Sequence, residues 1–217
     1  MLIGIVAVTK AFDGFCIAGV NALGELIRPI YGKGNHRFWP REKLTHDGEF
    51  IKCGDVWELD GRPFELEYPN HTEDFLPTTF RFRHTLNQSK FFDVLSEFAE
   101  DKKAFSDTVN AHKRSLCLVS VDSFTMITRV WNNKTSLRMG LIGKFSLNNP
   151  KTEDNLYPVK DCRWLGLMND GNIPPQTKRI FICIGLATPT PYDRIEYPQV
   201  VGVHTLPCLG FTATYPD

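Results

Sequence analysis

Short apolar runs and strict alternation dominate the chain, the periodicity of buried and half-buried β-strands. Three such runs follow one another at residues 2–9, 15–20 and 25–30. Asn21-Ala22-Leu23-Gly24 joins the second to the third, a turn signal whose glycine takes positive φ without a Cβ clash. Pro29 removes a ladder donor, so the third strand ends there or runs along an edge. A loop rich in Gly, Pro and charge covers 31–48. Residues 49–52, 55–60 and 63–68 then read as strands, divided by Cys53-Gly54-Asp55 and Asp60-Gly61. One segment breaks the pattern. From Lys90 to His112, apolar residues recur at Phe91, Leu95, Phe98, Phe105 and Val109, with Phe92 and Ala99 widening the stripe of an amphipathic helix. Ser89 is placed to cap its start, and His112, Lys113 and Arg114 fall where the helix dipole favours cations. Strands return at 115–121, 125–131, 137–145, 156–159, 163–167, 179–187 and 200–205.

The pattern predicts a mainly β chain with one long helix: β-rich halves over 1–88 and 115–217, joined by the helical segment 89–114. Halves of this size suit small barrels of about five strands, with a single large sandwich as the competing architecture. Composition agrees. Apolar residues make up 42% and charged residues 23% of the 217, which excludes a disordered tail, a collagen or a long coiled coil. No apolar run approaches the roughly 18 residues of a membrane span, so no membrane partner is expected. The run at 1–9 has neither a basic residue before it nor a small-residue cleavage pattern after it, and reads as a buried strand of a cytoplasmic protein. The cysteines are scattered without a C-x-x-C pair, and Cys16, Cys117 and Cys183 lie inside apolar runs as small buried thiols.

Charge balances at 25 bases against 25 acids but is unevenly placed. Residues 47–74 hold nine acids against Lys52 and Arg62; residues 28–43 hold five bases against Glu42; residues 102–144 hold eight bases against Asp107 and Asp122. A neutral total argues against indiscriminate phosphate binding, while a confined basic groove stays compatible with it.

Several segments resemble those of the bacterial dual OB-containing domain family. They are Phe15-Cys16-Ile17-Ala18-Gly19, Gly24-Glu25-Leu26-Ile27-Arg28-Pro29-Ile30, Cys53-Gly54-Asp55-Val56-Trp57, and Pro69-Asn70-His71-Thr72-Glu73-Asp74-Phe75 with its H-x-E-D turn. Later, Tyr157-Pro158-Val159-Lys160-Asp161-Cys162-Arg163-Trp164 is similar to the family's P-V-T-D stretch, with Lys160 in place of Thr. Ile182-Cys183-Ile184-Gly185-Leu186-Ala187 and Val200-Val201-Gly202-Val203-His204 resemble its closing strands. The resemblance implies two OB-like small β-barrels joined by a helical segment, and no established enzymatic role.

Such barrels stack bases on aromatic rings, at about 1–3 kcal/mol each, and hold phosphates with cations. Three segments interleave the two. His36-Arg37-Phe38-Trp39-Pro40-Arg41, with Arg28 before it, reads as an exposed loop tip or as a cover over the barrel end. In Phe80-Arg81-Phe82-Arg83 alternation sends the rings to the core and leaves Arg81 and Arg83 as candidates. Arg129-Val130-Trp131-Asn132-Asn133-Lys134 leads to Arg138 and Lys144 with no acid between 128 and 144. The candidate surface is therefore Arg28, His36, Arg37, Phe38, Trp39, Arg41, Arg81, Arg83, Arg129, Trp131, Lys134, Arg138 and Lys144.

No phosphate-binding glycine loop, nucleophile elbow or metal-ligand spacing occurs, and no catalytic, metal or cofactor residue is assigned. His71, Glu73 and Asp74 form the one tight His/carboxylate cluster, read first as a turn held by carboxylate-to-backbone bonds. The leading expectation is a non-catalytic module for single-stranded DNA or RNA. A protein-binding adaptor, suggested by the acidic stretch, and a nucleic-acid-processing enzyme built on His71, Glu73 and Asp74 are the alternatives.

Overall fold

The computed structural model of the chain describes residues 1–65, 68–131, 134–169, 179–189 and 194–206. The chain divides into two units, Met1–Phe98 and Ala99–Asp217. Among the described residues no helix is long and apolar enough to cross a membrane.

The first unit contains β1 (Leu2–Ala11), β2 (Gly14–Asn21), β3 (Leu26–Pro29), the short pair β4 (Thr45–His46) and β5 (Glu49–Phe50), β6 (Asp55–Pro63), β7 (Asp74–Thr85) and α1 (Gln88–Phe98). Strands β1, β2, β3, β7 and β6 close a barrel in that order. Every pairing around it is antiparallel except β3 with β7. Ile5, Ile17 and Leu59 are fully buried. The β2–β3 turn forms as its sequence predicts: Asn21 Oδ1 accepts from the N–H groups of Leu23 (2.9 Å) and Glu25 (3.0 Å), and Gly24 stands at φ 81°. Residues 55–63, expected to break at Asp60-Gly61, run instead as one strand. The register shifts between those two residues, and a Cβ on Gly61 would lie 2.3 Å from the Leu76 carbonyl oxygen. Glycine here bends the strand without ending it.

The single long helix is corrected to two. The first is α1, where Asn87, not Ser89, accepts the opening N–H, from Lys90 at 2.9 Å. The second is α2 (Lys102–Val109), in the second unit. Between them Glu100 leaves the helical path. Its N–H donates to Leu118 O (2.7 Å), and its carboxylate accepts from Leu118 N (3.0 Å) and from Arg114. A residue that pairs with Leu118 as a strand would cannot also continue the i→i−4 ladder. Asp101 then restarts the helix by accepting from Ala104 N at 2.9 Å, a cap worth about 1 kcal/mol.

The second unit continues with β8 (Leu116–Val121), β9 (Ser123–Trp131), β10 (Lys134–Ile142), β11 (Tyr157–Pro158), α3 (Cys162–Asn169), β12 (Arg179–Leu186) and β13 (Pro198–Leu206). Two three-stranded sheets, β11-β10-β9 and β13-β12-β8, contribute to one core, with Leu137, Met139 and Tyr157 from the first and Val119, Ile182 and Val200 from the second. A parallel bridge between Val159 and Val200 links them. Read through that bridge, the order β9-β10-β11-β13-β12-β8 follows the neighbours of the first unit, opened between the first two strands. Among the described residues the second unit does not close into the barrel expected from the resemblance. Only Asp122 separates β8 from β9, whereas a hairpin reversal takes about two residues, so the chain passes from one sheet to the other instead of pairing back. Residues 163–167, expected as a strand, lie in α3. Asp161 Oδ1 accepts from Arg163 N at 2.9 Å, giving the helix a start that the apolar run alone does not signal.

Gly24 and Gly48 both have positive φ (81° and 82°), but a Cβ on Gly24 would meet the Phe98 ring at 2.8 Å while Gly48 has open space. Urea unfolding should therefore find Gly24→Ala less stable than Gly48→Ala by about 1–3 kcal/mol. Equal losses would show that the Phe98 contact carries no weight.

Candidate functional site

Arg28 and Asp74 face each other across the parallel pair β3–β7. Arg28 Nε donates to Asp74 Oδ1 and Arg37 Nη2 to Oδ2, both at 2.6 Å, and all three residues are buried. Arg37 also lies over the Tyr68 ring, 5.0 Å from its centroid, with Nη2 3.3 Å from His71 Nδ1. Burial works against the Arg28 charge, but Asp74, with Cys16 and Glu73 beyond it, more than compensates and raises its pKa above the ordinary arginine value. Burial likewise pushes the Cys16 thiol up, and Arg28 and Arg37 pull it back only in part. The turn before β7 closes through its own backbone, His71 N to Tyr68 O (2.9 Å) and Asp74 N to His71 O (3.1 Å). The Asp74 carboxylate serves the two arginines and not the backbone of that turn.

The loop after β3 is not an exposed tip. Trp39 is 6% exposed, its Nε1 donates to Pro29 O at 2.7 Å, and its ring rests on Tyr31 and Phe80. Its backbone pairs with Phe15 in both directions at 2.8 Å. Gly14 permits this closeness, since a Cβ there would lie 2.8 Å from Trp39 O. Arg28, Arg37 and Trp39 are therefore interior residues, removed from the expected interface by the ion pairs and the strap they form. His36 and Arg41 remain exposed, and Phe38 is half-buried against Phe12. Under this loop β2 is buried along its length except at half-buried Cys16. On β7, Phe80 stacks on Trp57 and Phe82 on His46, while Arg81 and Arg83 are exposed and Arg83 pairs with Glu58.

The second unit differs. Leu137 and Met139 of β10 are buried, so Ser136, Arg138 and Gly140 take the opposite, outward face. Across from them on β9 stand Arg129, Ile127 and Thr125, all exposed. On the other side Arg138 pairs with Pro158, and the strand line continues as Val159 N donates to Leu137 O (3.0 Å) and Lys160 N to Val200 O (2.8 Å). Val159 is buried and Lys160 exposed, so Lys160 joins the outward face. Arg129 is paired with Asp154, whose carboxyl is held below the usual range by the Leu156 N–H first, and by Thr152 and Arg129. Lys134, Arg138 and Lys160 have no acidic partner among the described residues. Arg138 Nε is out of contact with water and has no hydrogen-bond acceptor. Burial, then Arg138, pull the Lys160 ammonium below the ordinary lysine pKa. Lys144 is exposed beyond the end of β10. The side chain of Trp131 and residues 132–133, expected as a turn, lie outside the described residues.

Next to Lys160 the two sheets are fastened. Asp161 Oδ2 accepts from Arg163 Nη2 (2.7 Å) and Val203 N (2.8 Å), and Arg163 Nη2 also donates to Val203 O (2.9 Å) and lies 3.4 Å from His204 Nδ1. The structure thus gathers Arg129, Lys134 and Arg138 of the expected residues on one sheet, separates Lys144 from the strand, and adds Lys160. The available signal for Lys160 was its standing where the resembling stretch carries Thr.

The family described as "Dual OB-containing domain" matches residues 1–203. No curated protein matches the chain.

Removing the Asp74 charge leaves two guanidinium groups buried without it. Asp74→Asn should lower unfolding free energy by about 3–5 kcal/mol in denaturant titration, against less than about 0.5 kcal/mol for the exposed Asp60→Asn. Similar small losses at both positions would remove the buried cluster from any role in stability.

Proposed function

The chain belongs to the dual OB-containing domain family, and from that premise we propose a module for single-stranded DNA or RNA that binds on the outward face of β9, β10 and β11. The observation that carries the reading is the set Lys134, Arg138 and Lys160, three cations without an acidic partner among the described residues, on the outward side of one sheet. In OB-folds the second and third strands form the oligonucleotide face, and β9 and β10 hold those places in the strand order. The equivalent strands of the first unit are covered by the 31–39 loop, and its buried arginines are engaged by Asp74.

Electrostatics sets the expected scale. A neutral protein offers no long-range pull on a polyanion, so affinity rests on these local cations. From Lys134 to Arg138 is four strand residues, about 13 Å, a reach that suits a few nucleotides. Ile127, 41% exposed and opposite Arg138, offers an apolar surface for a base or sugar. A protein partner is the second reading: Ile127 and Val130 are exposed on β9, an edge strand, and strand addition there would depend little on salt.

Fluorescence anisotropy with a labelled single-stranded oligonucleotide decides between them. Three contacted phosphates give a log–log salt slope of about −2. Lys134→Glu should weaken binding about tenfold or more, while Arg81→Glu in the first unit leaves it unchanged. No binding at micromolar protein in low salt, or binding indifferent to Lys134→Glu, would falsify the proposal.

A further inference from the structure

We propose that Arg138 and Lys160 together form a seat for one phosphate group, shared between the Arg138 guanidinium and the Lys160 ammonium. The inference rests on the reading of this face as a nucleic-acid surface and assigns it a particular contact. Register places the two residues on adjacent strand lines: Arg138 is opposite Pro158, and Lys160 lies two residues further along the same outward face. Two like charges held side by side repel, and only an anion between them converts that repulsion into attraction. The Arg138 Nε–H has no acceptor among the described residues, so the guanidinium is not committed to a protein partner through that atom. The planar guanidinium directs its donors in a fork that matches two phosphate oxygens, and the ammonium supplies a point charge to the same group. Desolvation first, and Arg138 second, lower the proton affinity of Lys160.

The seat is also prepared by the backbone. Lys160 N is bonded to Val200 O, and the next residue, Asp161, is fixed by Arg163 and Val203. The Cα of Lys160 is thus set before ligand arrives, and only its side chain is ordered on binding. Phosphate oxygens come either from the bridging diester of a strand or from a terminal monoester, and the two are separated by the choice of probe.

The test compares wild type, Arg138→Gln and Lys160→Gln in anisotropy titrations over a range of salt. The probes are a single strand without terminal phosphate and the same strand phosphorylated at its 5′ end. Each variant should lose about tenfold in affinity, with the salt slope shallower by about 0.7. Loss on both probes assigns the seat to the bridging phosphates, and loss confined to the phosphorylated probe assigns it to the terminal group. Lys160→Gln alters an exposed position, and Lys160→Arg, which restores the charge, should recover most of the loss; these two keep the test decisive if Arg138→Gln does not fold. Wild-type binding with both variants unchanged in affinity and slope overturns the seat and leaves the nucleic-acid reading standing. Failure of wild type to bind either probe overturns both.

Discussion

Both units depend on a seam where a strand must run parallel to another far away in sequence. Hairpins close locally, but a parallel pair forms only after a long crossover returns the chain, and its entropy cost is met by few backbone bonds. In the first unit that seam is Arg28 with Asp74 and Pro29 with Phe75; in the second it is the bridge of Val159 and Val200. Each is reinforced by a buried aspartate and arginine. Asp74 joins Arg28 and Arg37, while Asp161 joins Arg163 and the Val203 N–H, and in both places an arginine lies within 3.4 Å of a histidine Nδ1. A buried carboxylate so placed penalises misregister. Sliding the strand by one residue would turn the charge toward the opposite face and leave the guanidinium groups unpaired, a larger loss than any gained contact could offset.

The seams explain why two related strand orders present different surfaces. In the first unit Arg37 reaches Asp74 from the 31–39 loop, so satisfying the buried charge draws that loop over β2, and Trp39 secures it through Phe15 and Pro29. In the second unit the carboxylate and its arginine are two residues apart, Asp161 and Arg163, at the start of α3. That seam is satisfied locally. Among the described residues no long loop is drawn across β9 and β10, and Thr125, Ile127 and Arg129 of β9 are exposed.

This difference also marks what was legible in the sequence. Alternation and short apolar runs located most strands but not the span of β7, and Asn21 and Gly24 announced their turn, because those signals act within a few residues. The long helix was misread because the apolar stripe runs on past Glu100, whose competing partner Leu118 is 18 residues away. The strand at 163–167 was misread because one Asp161 side-chain bond decides its conformation. Arg28 and Arg37 looked like ligand-binding cations because their carboxylate lies 46 and 37 residues downstream. Arg129, Lys134 and Arg138 differ for the opposite reason: residues 128–144 contain no acid, and among the described residues only Arg129 of these three acquires one, from Asp154. Lys160 was noted only as standing in place of Thr; the structure turns its neighbour Asp161 inward to Arg163.

The inward turn of Asp161 is what adds Lys160 to the cations of this face. A strand residue and its successor point to opposite sides, so the seam takes the aspartate into the core and leaves the lysine outside, dividing a formally neutral Lys–Asp pair between two environments. Arg163 neutralises the inner half, and nothing among the described residues neutralises the outer half. Across the sheet Arg138 repeats the arrangement, since its strand neighbours Leu137 and Met139 are both buried and uncharged. The fold therefore concentrates positive charge on one surface of a protein with no net charge. Strand parity on β10 turns Lys134 and Arg138 outward and parity at the seam adds Lys160, so the architecture and the proposed binding surface are linked.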